Sequence, residues 1–166
     1  MTNTPLRADC ARCAALCCVA LGFETSSLFA FRKRAHCVCP HLTADDRCGI
    51  HASREAAGMG GCVRYDCLGA GQVVTALFSA SWREEPAMLE VFDKVRALHE
   101  LIELLVTAEQ LPLDAEGEHT RGELLRGLDR RGGWSLETLA DLDLPEKTRL
   151  VHGFLRSLSG SVAGTG

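Results

Sequence analysis

The chain has no run of roughly 18 consecutive apolar residues, the minimum a membrane-spanning helix requires. Its opening, MTNTPLRADC, lacks the apolar core of a signal peptide, so a cytosolic location is expected. There is no surplus of positive charge: 18 Lys and Arg stand against 22 Asp and Glu, a formal net charge of −4. That balance argues against broad attraction to nucleic acid or an anionic membrane, and neither is an expected partner. The short basic run Arg32-Lys33-Arg34 is too small to reverse it and reads as a solvated loop. The last 99 residues contain no cysteine. All nine cysteines therefore fall within a 58-residue stretch: Cys10, Cys13, Cys17, Cys18, Cys37, Cys39, Cys48, Cys62 and Cys67.

Four explanations compete for such a cluster. Disulfides are disfavoured in a reducing cytosol, adjacent Cys17 and Cys18 cannot easily bridge each other, and an odd total leaves one thiol over. Use as small apolar filler explains one or two cysteines, since free Cys is often buried, but not nine beside a half that has none. A thioredoxin-type pair needs CxxC at a helix start within a βαβ pattern; Cys10-Ala-Arg-Cys13 has the spacing, but no parallel-sheet pattern surrounds it. Metal ligation remains as the reading that accounts for the whole set.

The two halves differ in their physics. Residues 1–72 are short of large aliphatic side chains and rich in Cys, Gly and Arg, so burial alone is a weak source of stability and an internal staple is expected. Residues 73–160 carry helical periodicity. Met88, Val91, Phe92, Val95, Leu98, Ile102 and Leu105 recur at spacings of three and four, with Pro86 in the first turn and Leu111-Pro112 as the stop. A loop through Gly117 is expected to lead into a helix bearing Leu124, Leu125 and Leu128, ended by Gly132-Gly133. Ser135 is placed to cap a brief helix through Leu142. Asp143 and Pro145 open a last one, with the stripe Leu150, Val151, Phe154, Leu155 and Leu158. Residues 161–166 read as a disordered tail. The expected architecture is mainly α: a small irregular Cys-rich metal-binding module packed on a C-terminal bundle of three to four helices. The helical half carries no chemical motif and is read as a support, or as a surface that docks another protein.

Taken as helical, residues 10–21 would bring Cys10, Cys13 and Cys17 within roughly 60° of one another and leave Cys18 about 100° to the side. Cys18 would then face a second centre or mark the helix end. The other thiols lie in loop-like settings (CP, DDRCG, GGC and YDC), which can supply ligands from several directions. The succession CxxCxxxCC, CPHLTADDRCGIH and GCVRYDC closely resembles the cysteine-rich zinc- or iron-chelating family known as YkgJ-type. The resemblance covers residues 10 to about 72. It implies a ligand set of Cys10, Cys13, Cys17, Cys18, Cys39, Cys48, Cys62 and Cys67, with Cys37 outside the motif. His51 stands where Tyr is frequent, and Cys67 lies inside YDC. YDCLGAGQ is also similar to a subset in which the module precedes pentapeptide repeats; no such array is present in this chain.

Eight thiolates suffice for two Cys₄ sites or for one polynuclear centre with bridging sulfurs. Zinc is the expected metal, because closed tetrahedral thiolate sites contribute directly to folding. Iron, or an iron–sulfur cluster in a redox protein or auxiliary subunit, is the alternative. The ferredoxin run CxxCxxC is missing, and the CxxxCxxC of radical enzymes fails at Ala20. Two divalent ions in Cys₄ sites would each leave two negative charges, which Arg12, Arg32, Lys33, Arg34, Arg54 and Arg64 could offset. His41 and His51 flank ligand cysteines as possible substitutes or supports. His99-Glu100 begins an HExxH that fails at Glu103, and GAGQVV fails GxGxxG at Val74 and reads as a turn into a helix. No catalytic residue is identified.

Overall fold

A computed structural model describes residues 2–162, with side-chain surroundings through residue 158. The fold is mainly α: seven helices, with no β-strand among the described residues. They are α1 (Cys17–Ala20), α2 (Gly60–Arg64), α3 (Ala70–Leu77), α4 (Ala87–Thr107), α5 (Ala115–Leu128), α6 (Leu136–Ala140) and α7 (Leu144–Val162). Two 3₁₀ turns, Cys10–Arg12 and Ala108–Gln110, complete the elements. None of the helices is long and apolar enough to cross a membrane among the described residues.

The chain divides into two compact units. One is Leu6–Arg96, which holds every cysteine; the other joins the first five residues to the chain from Ala97 onward. The Leu6–Arg96 unit contains no α-helix between Ala20 and Gly60, only turns and isolated bridges pairing Phe23 with Lys33, Ser26 with Phe29 and Leu42 with Cys48. Its large buried side chains come mostly from the ends of that stretch: Leu16, Val19 and Met59, then Val74 of α3, and Met88, Phe92 and Val95 of α4. The expected scarcity of large aliphatics is thus relieved by residues beyond position 72.

In the second unit α4 buries Leu98, Ile102 and Leu105, each with no exposed surface. Helices α5 and α7 pack together. Helix α5 starts two residues ahead of Gly117, where a loop was expected. The Asp114 side chain accepts from the Gly117 backbone N–H at 2.8 Å and caps the helix there. Ser135 caps α6 as expected, exchanging hydrogen bonds with Thr138 in a capping box. On α7 Val151 and Phe154 are buried, but Leu150 of the expected stripe is exposed. That helix continues through Val162, past the expected start of the tail; residues 163–166 lie outside the described residues. Asp129 is buried and accepts from the backbone N–H groups of Asn3 and Thr4 at 2.6 and 2.8 Å, which fastens the first residues to the end of α5.

Candidate metal centre

The segment around Cys10–Cys18 is not one helix. A 3₁₀ turn covers Cys10–Arg12, Cys13 is extended with φ −114° and ψ 139°, and α1 begins only at Cys17. The break is at Ala15, whose φ of 50° lies in the left-handed region that a β-carbon disfavours. The expected single stripe of Cys10, Cys13 and Cys17 is therefore overturned, because a left-handed residue resets the direction of the chain between Cys13 and Cys17. Cys18 stands inside α1 rather than at a helix end.

Helix α3 is the platform that carries this segment. Buried Gln72 accepts from the Asp9 N–H at 3.1 Å and donates to the Arg7 carbonyl at 2.8 Å. One turn on, Thr75 Oγ1 accepts from the Ala14 N–H at 3.1 Å. The two side chains, three residues apart on one face, hold the backbone on both sides of Cys10–Cys13. Gly69, with φ 79°, makes the turn into α3, as GAGQ suggests. From the opposite side Arg47 Nη1 donates to the carbonyls of Cys10, Ala11 and Cys13 at 3.3, 2.7 and 3.3 Å. Arg54 binds the carbonyls of His51 and Cys62 at 2.9 and 3.0 Å.

These contacts frame a cavity of about 850 Å³ lined by Cys10, Cys13, Cys17, Cys18, Cys39, Cys48 and Cys62. Cys67 lies beside it. A β-carbon at Gly71 would stand 2.6 Å from Cys13 Sγ and 3.6 Å from Cys67 Sγ, so both sulfurs lie beside this glycine. Seven of the eight expected ligands thus line one cavity, with the eighth at its edge. Cys37 is exposed and is absent from the cavity wall. All nine thiols are free. Among the described residues no three Cys, His, Asp or Glu side chains stand arranged to hold a metal ion as they are. Binding therefore requires the sulfurs to close inward around the ion. The donor chemistry fits: soft sulfurs enter from a 3₁₀ turn, from α1, from loops and, for Cys62, from α2 rather than the expected loop, and an omitted β-carbon leaves room for two of them.

The rest of the wall is aromatic, aliphatic and cationic. Phe23 and Phe29 stack with ring centres 4.2 Å apart, and Phe31 meets His41 edge-on at 5.6 Å. His41 and His51 both face the cavity, as do Lys33, Arg47, Arg54 and Arg64. Lys33 corrects the expectation of a solvated basic loop. It is only 6% exposed, and its Nζ donates to the carbonyls of Val19, Arg34 and Cys37 at 2.9, 3.2 and 2.7 Å. Burial pushes its pKa down, and negative charge on Cys39, Cys37, Cys18 and Cys17 opposes that shift. Arg32 and Arg34 stay exposed.

Burial raises the thiol pKa of Cys10, and that of Cys13 to about 11; charge on Cys17 and Cys67 adds to both shifts. Cys62 is raised by burial first, then by Cys17, Cys39 and Cys48. Cys17 and Cys18 share a hydrogen bond that lowers Cys17 and raises Cys18. The raised thiols stay protonated near neutral pH, so binding a cation there would release protons.

Arg47, Gln72, Thr75 and Gly71 were absent from the sequence-based candidates. Arg47 carried a signal, its place beside Cys48 in DDRCG; Gln72 and Thr75 carried none, because their partners lie more than 60 positions away, and Gly71 meets Cys13 only through the fold. Gly71 supports a direct test. Gly→Ala inside a helix ordinarily stabilises by roughly 0.5–1 kcal/mol. Here Gly71→Ala is expected instead to cost about 1–3 kcal/mol of overpacking against Cys13. Metal affinity should fall roughly tenfold or more, read by competition with a chromogenic chelator. Unchanged affinity would show that Cys13 does not need this space.

No family model matches the chain. No solved structure matches it either. The chain is 32% identical over 160 residues to a Bacillus subtilis (strain 168) protein printed as "Uncharacterized protein YybG". The match takes in 93% of this chain and 57% of that protein, so the chain spans little more than half the length of the curated relative it resembles.

Proposed function

We propose that the chain is a cytoplasmic metal-binding protein that holds zinc or iron through the thiolates of Cys10, Cys13, Cys17, Cys18, Cys39, Cys48, Cys62 and Cys67. The observation that carries this reading is the convergence of seven of these side chains on one cavity, with Cys67 at its edge beside Gly71. The resemblance to the YkgJ-type chelating family, drawn from the same cysteines, supports it. Metal would staple a segment that has turns in place of regular structure. In this reading the helical unit is a support or a surface for a protein partner, and the chain has no catalytic activity of its own.

An iron–sulfur cluster is the second reading, and one observation favours it. The cavity has an aromatic and aliphatic wall in addition to its sulfurs, and about 850 Å³ is more room than a lone tetrahedral ion needs. Purification without oxygen, followed by metal analysis, acid-labile sulfide and a visible spectrum, separates the two. Stoichiometric zinc in colourless protein supports the first; brown protein with labile sulfide supports the second. Protein that emerges without metal and takes up neither zinc nor iron overturns both.

A further inference from the structure

The cysteines lining the cavity are not evenly mixed. Cys13 and Cys67 both lie beside Gly71, and the 3₁₀ turn that carries Cys10 packs on α3, the helix that follows Cys67. On the other side, the Cys39 N–H donates to the Cys18 carbonyl at 2.9 Å. The Leu42–Cys48 bridge and the Leu42 N–H to Cys39 carbonyl bond at 3.0 Å then draw Cys48 to Cys39. Cys62 joins this side through Arg54, which donates to the His51 and Cys62 carbonyls at 2.9 and 3.0 Å, while the His51 N–H donates to the Cys48 carbonyl at 3.1 Å. Cys17, at the start of α1 beside Cys18, is the remaining thiol of the cavity wall.

We propose that the cavity takes two metal ions, one on Cys10, Cys13, Cys17 and Cys67 and the other on Cys18, Cys39, Cys48 and Cys62. The adjacent Cys17 and Cys18 are the joint between the sites. This rests on the metal-binding reading above and adds the number of ions and the division of ligands. Each quartet has four sulfurs, which fills a tetrahedral shell without a water or a histidine. Each also has cationic support for its excess charge. Lys33 Nζ is held at the Val19 and Cys37 carbonyls, next to Cys18 and two residues before Cys39, and Arg47 Nη1 at the Cys10 and Cys13 carbonyls. His41 and His51 are then supports rather than ligands.

Cobalt(II), loaded into the full chain without oxygen, tests the division, because its visible bands report tetrahedral thiolate ligation. Wild-type protein is expected to take two ions per chain. Cys67→Ala and Cys48→Ala should each keep one ion, and the double variant none. Alkylation mapped by mass spectrometry at one ion per chain provides a reading free of substitutions: one quartet should be protected ahead of the other, with Cys37 labelled throughout. Uptake of a single ion by the wild type overturns the division. So does loss of both ions in either variant when all eight thiols gain protection together. Uptake of no ion would sink the metal-binding reading itself, which is a separate result.

Discussion

If the proposed metal is bound, stripping it with a strong chelator is expected to unfold most of Leu6–Arg96 while helices α5 and α7 remain folded. Apparent binding free energies of structural zinc in small peptides are about 10–16 kcal/mol, as large as the whole stability of a typical domain. The segment between Ala20 and Gly60 has no helix or strand ladder to fall back on. The second unit has its own core, with Leu98, Ile102, Leu105, Leu128, Leu139 and Val151 all at most 4% exposed. Hydrogen exchange before and after chelation reads both units at once. Protection should vanish between residues 13 and 67 and persist in α5 and α7. Retained protection around Cys39 and Cys48 would show that metal is not what stabilises this region. Cys37→Ala serves as the control and should leave metal content unchanged.

Lys33→Met is expected to cost about 1–3 kcal/mol, because it removes the shared donor of three carbonyls and leaves that of Val19 unsatisfied in a buried place. Met matches the length of the Lys side chain, so the loss reports the ammonium rather than a cavity. Two residues of one basic run should then behave in opposite ways. Arg32 is exposed and pairs with exposed Glu24 at 3.1 Å, so Arg32→Ala should change stability by less than about 1 kcal/mol. Urea unfolding of the metal-loaded variants decides it. Equal, small effects would mean that water replaces the Lys33 ammonium at the carbonyls of Val19, Arg34 and Cys37. A large loss would identify Lys33 as the post around which the loop carrying Cys37 and Cys39 is wound.

Local chemistry determined what could be read from the sequence by itself. The spacing of Met88, Phe92, Val95, Leu98, Ile102 and Leu105 specifies a one-faced helix, and Ser135 and Asp143 are helix starts wherever they stand, because capping is settled within four residues. Nine thiols in one half mark where the chemistry lies for the same reason: composition needs no fold to be visible. The tertiary structure alone decided how those thiols group. Helical angles applied to Cys10, Cys13 and Cys17 fail because Ala15 takes a left-handed turn that no residue type there announces. Arg32, Lys33 and Arg34 are alike in sequence, yet only Lys33 meets three carbonyls, from residues 14 positions before it to four after. Gly71, Gln72 and Thr75 read as an ordinary short helix until residues 7–14 are laid against them. Periodicity and capping are set by neighbours a few residues apart, whereas the cysteine-lined cavity is a meeting of distant segments, whose closeness is fixed by packing and written in no single stretch of the chain.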